Sequence, residues 1–582
     1  AAAGYTSTRT STYSEPSDVD FASLRVVIPG LDKPGRSGYV GRKLLGLQPG
    51  DGLVHRWSDL AVWVDGIFPS PASTDVMYVP PGTTLAVDVA RADVRFWIID
   101  GTVTVPLDAP DDVVIAAESI VINGGALRVG NEFEAHPWNK TVTFEMRGKR
   151  GDIVLPGVGP RSLVAVDGEL ILRGHAAATE WSQLARDAAI GDEHVDVLGA
   201  SLNGWNVGDK IVISGTSFGG DAGAHETRFV SSVHENHGEC SQFSLVACQY
   251  YARVTFTDAN GNSAPLGHAH VGKPHASQGR LADARAVVAR LTRNIRVKGA
   301  GVDGGFIDRF GASIAVQGGL ARLSSVEVTS AGQSAAAGHP SVGPRYPISL
   351  TGDINPTSYV KGCSVHRAWN RGVSVTTPAA VEVSDNVVFD TRGHSYAIAS
   401  SPGAIMPPAA SVLRNVGILA REHGSGLPSD STPAIFRLAP VGVGGAVQGN
   451  RACGSDAHGF WIGADVLDAG AAHADHSSSA VMGKFTSNVA DTSAGAGFFV
   501  SSADPRSNGA LGSVRIAFDL TGCVAWGNAE GGVMIGSGVG HLRIVSGVFL
   551  ANGRAHVNYV SPPRADRWWS ASDANAPVVD RC

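Results

Sequence analysis

From Trp57 to about Gly148, short apolar runs alternate with tight turns. Val76-Met77-Tyr78-Val79 stops at Pro80-Pro81-Gly82, Phe96-Trp97-Ile98-Ile99 at Asp100-Gly101, and Ser119-Ile120-Val121-Ile122 at Asn123-Gly124-Gly125. Runs this short, punctuated by residues that favour turns, predict strands joined by corners. Residues 150–295 hold a second β-rich block, in which a Val207-Gly208-Asp209 turn leads into Lys210-Ile211-Val212-Ile213. From Asn294 onward a loose repeat takes over. Cys363-Ser364-Val365-His366, Asn386-Val387-Val388-Phe389, Asn488-Val489-Ala490 and Cys523-Val524-Ala525-Trp526 each open a unit of short strand, polar bend and short strand. Recurrence every roughly 20–35 residues is what stacked coils of a right-handed parallel β-helix produce, with side loops absorbing the uneven spacing. A β-sandwich would not explain the recurring Asn and Gly units.

Composition agrees. The chain of 582 residues has 73 Gly, 30 Pro and only 17% charged residues, and it lacks long amphipathic stripes, so the expected class is all-β. The expected divisions are an extended Ser/Thr-rich tail at 1–22, a β-rich domain at 50–150, a second block at 151–293, the β-helix at 294–560 and a C-terminal tail at 561–582. A net charge of −7 with scattered basic residues argues against a nucleic-acid partner. No run of about 18 apolar residues is present, so no membrane span is expected. The chain starts at Ala1 without a leader, which reads as a processed product. With the sequon Asn139-Lys140-Thr141 as a glycosylation candidate, and Cys240 and Cys248 close enough for a local disulfide, the expected location is extracellular, either secreted or at the cell surface.

One set of segments is more specific. Arg345-Tyr346-Pro347-Ile348 through Gly352-Asp353, then Asn370-Arg371, Asp385-Asn386-Val387, Gly393-His394, Asn415-Val416-Gly417-Ile418 and Gly459-Phe460-Trp461 occur in that order. In sequence they resemble the cell-surface hyaluronan-degrading proteins that carry a G8 domain, and the fibrocystin-like proteins. The resemblance covers about residues 50–500. It implies a G8-type N-terminal domain followed by a right-handed parallel β-helix with side loops. In the hyaluronan-degrading relatives histidines follow Arg-Tyr-Pro-Ile, where this chain reads Ser349-Leu350-Thr351. A later family histidine corresponds to Thr376, an acidic segment to Ala399-Ser400-Ser401, and an upstream Glu to Val287.

Glycoside cleavage uses a proton donor and a second carboxylate or base, and elimination from a uronate needs a base beside a cation. The groups left for such work are Arg345, Asp353, His366, Arg371 and His394, with Asp390 nearby in sequence. In an active enzyme a histidine would be the base and Arg345 or Arg371 would hold the anionic sugar. Alternatively, Arg345 and Asp353 pin a turn and the histidines bridge neighbouring coils. His268 and His270, on one face of a strand, are the metal candidates; otherwise no cofactor is expected. The expected function is a non-catalytic extracellular structural or carbohydrate-binding protein, part of a filament or matrix. Its partners would be polysaccharide, other extracellular proteins or copies of itself. The alternatives are a hyaluronidase-like enzyme acting on an acidic polysaccharide, and the ectodomain of a longer receptor.

Overall fold

The structure is a computed structural model that describes residues 53–63, 68, 76–131, 133–150, 152, 158–199, 202–219, 221–239, 249–277, 280–301, 309–334, 345–399, 410–423, 428–439, 445–463, 480–501, 516–536, 539–559 and 578–580. The expected tail at 1–22 and the Cys240–Cys248 pair lie outside these residues. The chain forms two compact units. The first comprises residues 1–175, 293–358 and 368–370; the second comprises 176–292, 359–367 and 371–582.

The first unit consists of parallel coils with three faces. On one face Phe96–Ile99, Ser119–Asn123, Ser162–Val166 and the start of Ser313–Ser324 pair side by side. On the second, Thr84–Ala86, Thr102–Val105, Ala126–Val129 and Glu169–Arg173 do the same. The third carries Arg91–Asp93, Asp112–Ala117, Thr141–Met146, Ile295–Gly299 and Val326–Ala331. Alternation along each strand sends one set of side chains into the bore. In-register pairing then stacks them into buried columns: Trp97, Ile120, Leu163 and Ile314; Leu85, Val103, Leu127 and Leu170; Ala92, Ile115, Phe144 and Val297. The punctuated N-terminal segment is thus itself coiled: Val54–Arg56 already pairs parallel with Thr84–Ala86.

The second unit continues the parallel-coil plan and adds a separate antiparallel sheet. Six strands run in the order Trp181–Gln183, Val287–Arg290, Lys210–Ile213, Glu226–Glu239, Gln249–Thr257 and His194–Leu198. A bridge between Leu184 and Val197 links the two outer strands, and Leu184, Val197, Ile211, Ile213, Val254 and Phe256 fill the middle. The other face of this sheet, through Val212, Val287, Ala289 and Leu291, packs on the coil residues Val387, Phe389, Val416 and Ile418. Inside, Arg290 grips Glu180 through Nε and Nη2, so each buried charge has its counterpart.

One corner of these coils repeats with little variation. The residue before the turn has positive φ: 57° at Asp385, 51° at Arg414, 66° at Gly449, 55° at Ser487 and 59° at Gly522. A buried Asn follows at 386, 415, 450 and 488. The main-chain N–H and Nδ2 of Asn386 donate to Asn415 Oδ1, Asn415 donates in the same way to Asn450, and Asn450 to Asn488, all at 2.9–3.0 Å. Each Nδ2 also donates to a carbonyl of the preceding coil, such as Val360, Val383 and Val412. Cys363 caps one end by donating its N–H to Asn386 Oδ1. Its counterpart Cys523 follows the positive-φ Gly522 at the same corner one coil beyond Asn488, and both thiols are buried. Burial raises the Cys523 pKa to about 12. The linked residues stand 23, 29, 35 and 38 positions apart, so insertions fall outside the corner and leave it unchanged. A parallel column of rings, Tyr396, Phe436, Phe460 and Phe498, fills the bore at centroid spacings of 4.7, 4.7 and 5.0 Å.

Asn450→Ala removes two donors and an acceptor, and takes these partners from the Val412 carbonyl and the Asn415 N–H of the preceding coil, away from water. Each buried group left unsatisfied costs about 1–3 kcal/mol, so the loss should reach about 3 kcal/mol in chemical denaturation. Lys361→Ala, at an exposed site on the neighbouring corner, should stay within about 0.5 kcal/mol. Equal effects from the two substitutions would show that the ladder does not hold the coils.

Candidate functional site

Three polar side chains of the second unit converge where the coil turns from Val387–Arg392 into Tyr396–Ala399. Gly393, at φ 93°, lets the chain pass close to Asp430; a Cβ there would sit 3.1 Å from the carboxylate. Asp430, in the short 3-10 turn Pro428–Ser431, is fully buried. Arg371 donates from Nε to Asp430 Oδ1 at 2.8 Å, and His394 Nε2 lies 3.4 Å from the same oxygen. His394 is fully buried, and its Nδ1 accepts the main-chain N–H of Ala434 at 3.0 Å. That bond fixes the tautomer: Nδ1 is the acceptor, so Nε2 carries the proton and faces Asp430. Burial first, and then the positive charges of Arg371 and Arg437, hold the pKa of His394 well below the usual histidine range. His458 repeats the arrangement further along the stack, accepting the Ala496 N–H at Nδ1.

Beside this cluster lies a row of residues facing away from the bore. Pairing places Ala397, Arg437, Trp461, Phe499 and Met534 in register. The Arg437 guanidinium lies 4.3 Å over the Trp461 ring and donates to the Gly463 carbonyl. Phe499 stacks on His458 at 4.6 Å and approaches Trp461 at 6.0 Å. Arg437, Trp461 and Phe499 are nearly fully buried.

The other candidates are placed differently. Arg345, in the first unit, is half-buried; its backbone pairs with Gln333, its guanidinium packs on Gly159, and burial lowers its pKa to about 10. Asp353 is exposed near the end of Ile348–Ile354. His366 is buried on Ser364–Ala368. Asp390, at φ 53°, pairs with Arg421 at 2.6 Å. Of the five catalytic candidates, Arg371 and His394 are the pair that meets in the cluster. Ser349 and Thr351 stand in register with Ala315 and Gln317 in the first unit, and Thr376 with Ala399 in the second. Val287 sits in an apolar cluster.

The two metal candidates converge on a carboxylate. His270 Nε2 is 3.1 Å and His268 Nδ1 3.6 Å from Glu226 Oε1, and His270 Nδ1 is 2.8 Å from the Ser214 carbonyl. Among the described residues, no group of three or more His, Cys, Asp or Glu stands where it could hold a metal ion.

Comparison with known proteins places this architecture. Residues 62–185 match the family model of the G8 domain, and residues 309–441 match that of the CEMIP beta-helix. The two matches fall on separate segments and agree with the G8-type and β-helix resemblance read from the sequence. Fibrocystin-L of Mus musculus is 26% identical over 446 residues, which is 70% of this chain and 10% of that protein. Fibrocystin of Mus musculus is 25% identical over 71% of this chain and 9% of its own length. A G8 domain-containing protein of Dictyostelium discoideum is 23% identical over 71% of this chain and 34% of its own. The chain therefore spans about a tenth of the fibrocystins it matches. Among solved structures, the tailspike protein gp49 of Pseudomonas phage LKA1 aligns over 82% of this chain and 70% of its own, at 10% identity and a TM-score of 0.20.

The parts of the cluster that sequence reasoning missed are Asp430, Arg437 and His458. Asp430 lies 59 positions from Arg371, outside every quoted motif, and only coil stacking brings the two together.

Asp430→Ala leaves Arg371 without this carboxylate and should cost about 3–5 kcal/mol, the usual range for breaking a buried ion pair from one side. His394 has a folded pKa below its unfolded value of about 6.5, so its contribution is complete above that pH and is lost as the pH falls. Urea midpoints at pH 7.5, 6 and 5 should record a loss of up to about 1.4 kcal/mol per pH unit from this group, and His394→Gln should flatten that part of the curve. An unchanged slope in the variant would contradict the assignment.

Proposed function

We propose that this G8 and β-helix chain is a non-catalytic extracellular protein, serving as a rigid scaffold or carbohydrate-binding surface in a cell-surface filament or matrix. The observation that carries this reading is the commitment of His394. A general base needs a lone pair open to the substrate proton. Here the Nδ1 lone pair takes the Ala434 N–H, and the Nε2 proton faces Asp430. Arg371, the cation that would hold an anionic sugar, is engaged by the same carboxylate. The positions where the relatives place histidines are occupied by hydroxyl and aliphatic side chains at Ser349, Leu350, Thr351 and Thr376. Loss of several acid–base groups together, with the remaining pair turned to internal bonding, supports a structural role for this corner.

The location rests on the same family resemblance; no helix among the described residues is long and apolar enough to cross a membrane. Partners under this reading are polysaccharides, other extracellular proteins and further copies of the chain. The second reading, cleavage of an acidic polysaccharide, is favoured by the match to the CEMIP beta-helix family across residues 309–441.

Incubation of the purified chain with hyaluronan and other acidic polysaccharides, followed by size-resolved separation, distinguishes the two readings. Polymer lengths should remain unchanged from about pH 4 to pH 8, the span in which carboxylates and histidines exchange roles as acid and base. Shortening by the wild-type protein, abolished by Arg371→Gln in a variant that keeps its fold, would establish the enzyme instead.

A further inference from the structure

One corner of the first unit exposes large apolar side chains that its own fold does not cover. Phe133 is 91% exposed, Trp138 63% and Leu107 45%. The three stand on two adjoining loops. Lys140 donates its N–H to the Pro137 carbonyl, closing a turn with Trp138 and Asn139 at its tip. The Lys140 ammonium crosses to the Ala109 carbonyl, tying that tip to the turn from Pro106 to Ala109 that holds Leu107. Asn131 Oδ1 accepts the N–H groups of Phe133 and Glu134. From below, Asn294 Nδ2 donates to the carbonyls of Pro137 and Lys140. These bonds fix the loops on which the exposed side chains stand.

Asn139 is itself exposed at the turn tip, beside Trp138. It begins the sequon Asn139-Lys140-Thr141, and Thr141 donates its hydroxyl to Asp112 in the strand that follows the Leu107 turn. Exposed rings present flat apolar faces, and the C–H faces of pyranose rings are their chemical complement. A sugar anchored at Asn139 would start within one residue of the Trp138 ring.

We propose that Asn139 carries an N-linked glycan whose first N-acetylglucosamine units pack on Trp138, Phe133 and Leu107. The proposal rests on the extracellular reading above, because the modification belongs to the secretory route. The covalent step is transfer from a lipid-linked oligosaccharide pyrophosphate. The Asn139 carboxamide nitrogen bonds to C1 of the sugar, the C1–O bond to pyrophosphate breaks, the lipid pyrophosphate leaves, and the amide gives up one proton. The glycan then covers the patch in place of a protein partner.

The full chain, fused to a secretion signal and expressed in a eukaryotic host, passes the glycosyl-transfer machinery whatever its natural destination. Peptide mass analysis should find Asn139 occupied. Acrylamide quenching of tryptophan fluorescence should rise when peptide-N-glycosidase removes the whole glycan. It should stay low when an endoglycosidase leaves a single N-acetylglucosamine. Whole-glycan removal should also lower Tm by about 2 °C. Both responses should vanish in Trp138→Ala, which keeps the sequon, and in Asn139→Gln, which cannot be modified. An unoccupied Asn139 in the secreted chain overturns the proposal, and so does an occupied Asn139 whose removal changes neither quenching nor Tm. Neither result touches the extracellular reading, which is tested by where the natural chain is found.

Discussion

The asparagine corner is the constraint on which the second unit depends. A parallel coil leaves its turns with inward-facing amides and carbonyls, which must find partners because water does not reach them. Asn386, Asn415, Asn450 and Asn488 supply those partners: each Oδ1 accepts from the preceding coil, each Nδ2 donates back to a carbonyl there, and the first three also donate to the Asn of the next coil. The same corner asks Asp385, Arg414 and Ser487 to adopt positive φ, a strain of about 1–2 kcal/mol for a residue with a side chain. Satisfied buried groups offset that strain. With the corner fixed, strand register is fixed as well, and the bore columns follow from it.

Register then determines the chemistry. Stacking brings Arg371, His394 and Asp430 to one point although they are distant in sequence. It also aligns Arg437, Trp461 and Phe499 on the face turned away from the bore. Such a row could have presented charged groups to a polymer. Instead, the guanidinium of Arg437 lies on the Trp461 ring and bonds the Gly463 carbonyl, while the two corner histidines bond main-chain amides of following coils. These polar side chains are bonded within the stack. A shared fold alone does not transfer chemistry from one chain to another.

The fold was legible because its signals are local. Apolar runs ending in Gly or Asn recur whatever lies between them, and Asn386 and Asn488 each open a strand as the repeat predicts. The coiled nature of the N-terminal segment was harder to see. Its corners, such as Asn123-Gly124-Gly125, look like hairpin turns until parallel pairing shows that the chain turns onto a new face. The site was less legible because it is non-local. The resemblance pointed to His394 and Arg371, but nothing beside them in sequence announces Asp430. The metal reading of His268 and His270 had the same weakness: the spacing was right for one face, yet Glu226, more than forty positions away, turned out to be what both imidazoles face.

The tautomer of His394 is the most direct test of whether this corner is structure or machinery. Two-bond nitrogen–proton correlation spectra of the imidazole, assigned by loss of the signals in His394→Gln, report both ring nitrogens at once. The account predicts a bare Nδ1 and a protonated Nε2 at pH 7.5, unchanged as the solution is taken down to about pH 5.5, well below where an ordinary histidine has begun to titrate. A ring that gains its second proton near pH 6.5, or that carries its proton on Nδ1, would place His394 among the reactive groups and contradict the structural reading.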